Sequence, residues 1–219
     1  MRARFLILIS AVLLAALGAA GCGGLSKSYP ERSYYMFEVS PPEKVAAAPV
    51  QGAVAQVWKF SVSPGSDGKE FVYRTDDISY ESDFYNQFFR NPGALLTETT
   101  IRWLSDTGLF EDVISSLGQG FASYFIQSNV VELYGDYRGE PAAVMTIQFF
   151  LLEYTPESEY GDSTGIIFNK TYSSHVPIPT ASAPDLMRGW NTALGEIYGE
   201  FLEDLKLYVK PFSQAATVD

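Results

Sequence analysis

Ser182-Ala-Pro-Asp-Leu-Met-Arg-Gly-Trp-Asn-Thr-Ala-Leu-Gly-Glu-Ile-Tyr-Gly-Glu-Phe-Leu-Glu-Asp-Leu205 is the most regular stretch of the 219-residue chain, and its reading decides the fold class. Ser182-Ala-Pro-Asp185 has the form of a capping box, in which a serine side chain accepts the free N–H groups that open a helix. Met187, Trp190, Leu194, Ile197, Tyr198, Phe201 and Leu205 follow at helical spacing, and Glu196, Glu200 and Glu203 fall on the opposite face. A helix with one apolar stripe needs a surface to cover that stripe.

The preceding sequence supplies strands for that surface. Ala142 to Tyr154 is a long apolar run with strand character, and Ile166, Phe168 and Tyr172 alternate with Ile167, Asn169 and Thr171 in a further strand closed by Pro177 and Pro179. The acidic stretch Thr155 to Ser163 between them reads as a loop. Val130 to Arg138 is a strand in which Val131, Leu133 and Tyr137 alternate with Glu132, Asp136 and Arg138, and Phe110 to Ser115 is a short strand. Earlier still, Asn91-Pro92 offers a helix cap with proline at the first helical position. Ala94, Leu96, Ile101, Trp103 and Leu104 share one face of that helix, which Gly108 ends. Tyr34 to Val39, Trp58 to Val62, Phe71 to Arg74 and Ile78 to Tyr80 are strand candidates, with loops at Pro41 to Ala53 and Pro64 to Gly68. Strands, a helix, more strands and a final helix predict one α+β domain: a mainly antiparallel, mixed sheet with two amphipathic helices packed on one face.

At the N-terminus, Met1-Arg-Ala-Arg4, the apolar run Phe5 to Leu17 and the small residues Gly18 to Gly21 have the layout of a secretory signal. The run is shorter than a membrane-crossing helix requires. Leu17-Gly-Ala-Ala-Gly-Cys22 resembles a bacterial lipobox, with Ala19 where the pattern more often has leucine. Cys22 is the only cysteine, and its thiol can be alkylated to a diacylglycerol thioether, so lipid attachment at Cys22 is the expectation. Gly23, rather than aspartate, follows it and favours sorting to the outer membrane, on its periplasmic face. Residues 1–21 then form a cleaved signal peptide and 22–33 a lipidated tether, whose eleven residues from Gly23 to Ser33 span about 35 to 40 Å when extended. Residues 34–210 form the domain and 211–219 a disordered tail. Loss of Arg2 and Arg4 takes the formal charge from −11 to −13. That charge argues against nucleic acid and against electrostatic adhesion to anionic lipid, leaving the acyl chains as the membrane attachment.

The search for chemistry finds little. His175 is the only histidine and lies at an outward-phased position with no second histidine or cysteine to complete a metal set. Nucleophile elbows, phosphate-cradling loops and metal-protease signatures are missing, and Gly118-Gln-Gly120 reads as a turn. The acidic loop Glu157-Ser-Glu-Tyr-Gly-Asp162 lacks the ordered spacing of a calcium loop. Asn169-Lys-Thr171 matches a glycosylation sequon that a bacterial export signal gives no use for. No catalytic, cofactor or metal residue is assigned. Tyr80, Phe84, Tyr85, Phe88 and Phe89 crowd ten residues before the first helix; most belong in a core, and Phe84, Tyr85, Phe88 and Phe89 are the candidates for a partner surface.

The order of these elements resembles the ABC-type transport auxiliary lipoproteins, the PqiC/YmbA-like family. The resemblance spans nearly the whole mature chain. It is carried by Tyr34-Tyr-Met-Phe37, Phe71-Val-Tyr-Arg74, the aromatic segment leading to Asn91-Pro92, the helix ending Leu104-Ser-Asp-Thr-Gly-Leu-Phe110, the strand around Tyr134 and the terminal helix. Phe88-Phe-Arg-Asn-Pro92 stands where the family tends to have a tryptophan-containing segment. The resemblance implies a periplasmic lipoprotein that serves as a non-catalytic accessory of an MCE-domain protein and its membrane transporter, in moving lipids or other hydrophobic molecules between membranes. Homo-oligomerisation stays open, as do a structural role in an outer-membrane assembly machine and an envelope hydrolase built on an unrecognised carboxylate pair.

Overall fold

The longest strands set the frame. The computed structural model of the chain describes residues 31–41, 48–116, 118, 120–158 and 161–212, without the side chains of 156–158, 161 and 162. The segment bearing Cys22 and Gly23, and the tail from 213 to 219, lie outside the described residues. Within them, β1 (Ser33–Tyr35), β2 (Val54–Val57), β3 (Ser61–Val62), β4 (Glu70–Arg74), β5 (Tyr80–Phe88), β6 (Asp112–Ser115), β7 (Tyr124–Asp136), β8 (Ala142–Ser158) and β9 (Gly161–Pro177) join in one sheet. The two helices are α1 (Pro92–Thr107) and α2 (Ala183–Tyr208).

β7, β8 and β9 form a long antiparallel meander. The other edge of β7 is divided among three short parallel neighbours: β2 at Tyr124–Ile126, β3 at Asn129–Val130 and β4 at Gly135–Asp136. Beyond β2 lies β6, parallel; beyond β4 lie β5, antiparallel, and then β1, parallel, at the sheet edge. The sheet therefore forks, with one branch ending in β6 and the other in β1. Parallel ladders here hold two to four residue pairs each, so the long antiparallel ones dominate, as the α+β expectation requires.

Both helices cover one face of this sheet. Asn91 accepts the Gly93 N–H at 3.0 Å, Pro92 occupies the first turn where no N–H is needed, and Gly108 ends α1 at φ 67°, a left-handed conformation that glycine takes without a Cβ penalty. Ser182 accepts the Asp185 N–H as the capping box predicts. The stripe of α2 packs on β8 and β9, whose Ala143, Met145, Ile147, Phe149 and Leu151 are fully buried, with Phe149 stacked on Phe201 at 4.1 Å. Gly189 permits close approach: a Cβ there would sit 2.6 Å from the Ile178 side chain and 2.7 Å from that of Ala143. The two helices meet where the Thr100 and Tyr198 hydroxyls share a buried hydrogen bond of 2.6 Å beside the Trp103 ring.

Trp190 is the knot of the core. Its ring is fully buried, 4.8 Å from that of Phe71 and stacked 5.5 Å from that of Phe88, and its indole N–H donates to the carbonyls of Tyr134 and Val144. One side chain of α2 thereby touches β4, β5, β7 and β8.

Several local expectations are corrected. β2 at Val54–Val57 is a strand that was not expected, and the strand expected at Trp58 to Val62 is confined to Ser61–Val62, with Trp58 exposed and Phe60 buried. Ile78 lies in a turn and is 90% exposed. β7 begins six residues earlier than its alternation suggests. It carries a bulge between Val130 and Glu132 that turns Val131 outward while Val130 and Leu133 point into the core, so Val131 and Leu133 do not share a face. The loop expected at Thr155 to Ser163 is largely strand, since β8 runs to Ser158 and β9 begins at Gly161. The strand expected at Tyr34 to Val39 is three residues long.

Replacing Trp190 with alanine removes the ring that four strands share and leaves a cavity in a close-packed core, with an expected loss of about 3 to 5 kcal/mol. Urea denaturation of the variant should show a lower midpoint with unchanged slope; a midpoint within error of the parent would remove Trp190 from its central place.

Candidate docking edge

β5 is not a plain strand. Phe71 pairs with Asp83, yet the next residue back, Glu70, pairs with Gln87, so Phe84, Tyr85 and Asn86 are looped out of the ladder. Asp83 holds this loop together. Its carboxylate accepts the Tyr85 N–H at 2.8 Å, the Asn86 N–H at 3.1 Å, the Asn86 amide at 2.7 Å and the Tyr73 hydroxyl at 2.6 Å. Asn86 in turn accepts the Tyr35 hydroxyl of β1 at 3.1 Å. The network links β4, the bulge and the edge strand.

Its product is an aromatic edge. Phe84 is 57% exposed, Tyr34 53% and Phe89 54%, with Tyr85 and Met36 also open to solvent. Tyr34 and Phe89 meet edge to face at 6.3 Å, Phe84 and Tyr85 do so at 5.4 Å, and the Arg32 guanidinium sits 4.0 Å over the Phe84 ring. Backbone bonds from Phe89 N to Tyr35 O and from Phe88 N to Lys69 O pin the end of the strand. The outer side of β1 has no strand partner among the described residues.

Of the four candidate surface residues, Phe84, Tyr85 and Phe89 lie on this edge. Phe88 does not: it is 2% exposed, stacked on Phe37 at 5.3 Å and on Trp190 at 5.5 Å. Adjacent Phe88 and Phe89 point to opposite sides as neighbours in an extended chain do, and the three-residue bulge sets which of the two faces the core. Tyr34 and Met36 are the edge residues that reading from sequence passed over. Their signal was the run Tyr34-Tyr-Met-Phe37, in which only alternate side chains can face a core.

The electrostatics of the bulge follow from its geometry. Burial by itself would raise the Asp83 pKa; the hydrogen bonds from Tyr73, Asn86 and the two backbone N–H groups outweigh it and hold the carboxyl below its ordinary value. The Tyr73 phenol is pushed up, first by burial and then by its bond to Asp83. On β7, hydrogen bonds from Arg138 hold Asp136 down at about 2.

Elsewhere, His175 is exposed on β9, as its phase predicts, and Lys170 within Asn169-Lys-Thr171 pairs with Asp204 at 2.7 Å. Gly118 N–H donates to Ser115 O, a turn contact. The acidic side chains of Glu157, Glu159 and Asp162 lie outside the described residues. Among the described residues no group of three or more histidine, cysteine, aspartate or glutamate side chains is placed to hold a metal ion. No helix among them is long and apolar enough to cross a membrane.

No protein-family model matches the chain, and no curated protein matches it. Solved structures do. Protein XCC0632 from Xanthomonas campestris, described as belonging to DUF330, superposes with a TM-score of 0.67 at 16% identity, over 80% of this chain and 95% of that one. A second structure, of an uncharacterised protein, gives 0.60 at 14% identity over 80% and 99%. These likenesses define the class of fold this chain shares.

The depressed Asp83 pKa makes the bulge acid-sensitive. Its contribution is complete above the ordinary carboxylate pKa, about 3.9, and is lost as pH falls through the lower folded value. The amide resonances of Tyr85 and Asn86 should shift together in an NMR titration below about pH 4, and Asp83→Asn should abolish that transition. A transition retained in the variant would assign it to another group.

Proposed function

We propose that this chain is a membrane-anchored periplasmic lipoprotein, acting as a non-catalytic accessory subunit of an MCE/ABC-type system that moves lipids or other hydrophobic molecules between membranes. Cys22 carries the lipid, Gly23 directs the protein to the outer membrane, and the β1–β5 edge docks the MCE-domain partner.

The observation that carries this reading is the aromatic edge. Tyr34, Phe84, Tyr85 and Phe89 leave several rings in water on one side of the molecule, and a hydrogen-bonded bulge holds two of them there. Burying such rings is worth about 25 cal/mol per Å², and tyrosine, phenylalanine and methionine are enriched at protein interfaces. The edge strand carrying Tyr34 also follows directly on the tether, so anchoring and docking belong to one end of the chain. The family resemblance supports the same reading, as does the fold shared with the Xanthomonas protein, since DUF330 is the PqiC/YmbA-like group.

Crosslinking and co-purification of the tethered protein from its own membranes should bring down an MCE-domain protein. Phe84→Ser with Phe89→Ser should reduce the yield at least severalfold while the melting temperature of the domain stays within a few degrees, because both side chains are surface groups. Cys22→Ser should release a folded protein into the periplasm. Recovery of β-barrel assembly factors alone would sink the transport reading.

A further inference from the structure

Neither helix lies on the second face of the sheet. Phe149 and Leu151 of β8 point to the helix side, so Leu152 and Tyr154 alternate with them: Leu152 and Tyr154 belong to the other face. On that face Ile114, Gln56, Phe125, Leu152 and Ile166 lie side by side across β6, β2, β7, β8 and β9. The Trp58 ring meets that of Phe125 edge to face at 6.3 Å, and Trp58 is 43% exposed and Ile166 61%. No side chain in this row is charged. Further along the same face the side chains turn polar and bond among themselves, Gln148 to Asn169 at 2.9 Å and Thr146 to Glu132 at 2.7 Å, as suits a face in water. The apolar half is the part that gains from a cover.

Beyond α2 the chain crosses the end of the sheet from one face to the other. Lys210 N–H donates to the Tyr124 hydroxyl at 3.0 Å on the helix side, and two residues on the Phe212 ring lies 6.2 Å from that of Tyr154 and 5.5 Å from that of Phe121. Phe212 N–H donates to Gln51 O at 2.9 Å. Gly52 makes room for this: its φ is 70°, and a Cβ there would overlap the Phe212 carbonyl. Pro211 and Phe212, expected in a disordered tail, thus form a seated strap that brings the chain to the apolar half-face beside Leu152. Ser213-Gln-Ala-Ala-Thr-Val-Asp219 follows, and these seven residues reach about 23 to 25 Å when extended. Trp58, the far corner of the patch, lies two strands and four residues from Tyr154, roughly 17 Å. The segment has no lysine, arginine or glutamate, and Ala215, Ala216 and Val218 give it an apolar character that suits an uncharged surface.

We propose that residues 213–219 fold back over the apolar half-face of β2, β7, β8 and β9 as its cover, rooted by the Phe212 strap. This surface is remote in the sheet order from the β1–β5 edge, so the cover stands or falls separately from the docking reading.

The test uses the full chain in phosphatidylcholine vesicles. With Val218→Cys and Ile166→Cys together, oxidation by copper phenanthroline in air should close an intramolecular disulfide at least about fivefold faster than with Val218→Cys and Leu207→Cys. Leu207 is 72% exposed on α2 and much nearer in sequence, so a tail that wanders would favour it. A chain with Val218→Cys alone sets the background from Cys22. Equal or slower closure to Ile166 overturns the proposal, and a mainly intermolecular product overturns it by giving the face to a second copy. Tryptophan emission supplies an independent reading. Trp103 and Trp190 are 3% and 0% exposed, so acrylamide quenching reports Trp58. Ending the chain after Ser213 should raise the quenching constant about twofold, as removal of a cover from a half-exposed ring requires. An unchanged constant overturns the proposal.

Discussion

The architecture depends on one strand with two unlike edges. β7 gives one edge to β8 along almost its whole length, and divides the other among β2, β3 and β4. All three run parallel to it, and parallel neighbours cannot be joined by a tight turn. The chain between β2 and β7 must therefore travel, and it uses the distance to build β3, β4, β5, α1 and β6. The fork is the direct consequence: three short strands cannot cover thirteen residues continuously.

What holds the layers together is apolar. Trp190, Phe71, Phe88, Phe149, Phe201 and Tyr198 are all buried, and their contacts run from α2 to β4, β5, β8 and α1. The ion pairs Arg90–Glu98 and Lys206–Glu203 sit largely in solvent and contribute little by comparison, about 0 to 1 kcal/mol each. With a single cysteine no intrachain disulfide is available, so stability rests on this packing and on satisfied caps at the N-termini of both helices.

The aromatic edge arises where the sheet departs from regularity. A regular strand with one face on a core hides every second side chain and hydrogen-bonds its backbone on both sides. The three looped-out residues of β5 break that rule and present Phe84 and Tyr85; the bulge in β7 breaks it again and turns Val131 outward. The bulge is maintained by a carboxylate satisfied by four donors, which explains how exposed rings can be held in place without apolar cover.

Periodicity and local chemistry were enough for α1 and α2, with their caps, and for the apolar strands β8 and β9, because a helix stripe, a proline at a first turn and a glycine past a last one are properties of neighbouring residues. The α+β class followed from them, as did the outward phase of His175. The lipid-attachment reading of Cys22 likewise rests on adjacent residues alone. Register was another matter. Whether Phe88 or Phe89 faces the core, and whether Val131 shares a face with Leu133, turns on bulges that depend on which partner strand is alongside. The assembly of β2, β3 and β4 along one edge of β7 and the Asp83 network join residues some ten to seventy positions apart. Only the folded chain brings those residues together, since long-range pairing and burial, rather than local preference, select that arrangement.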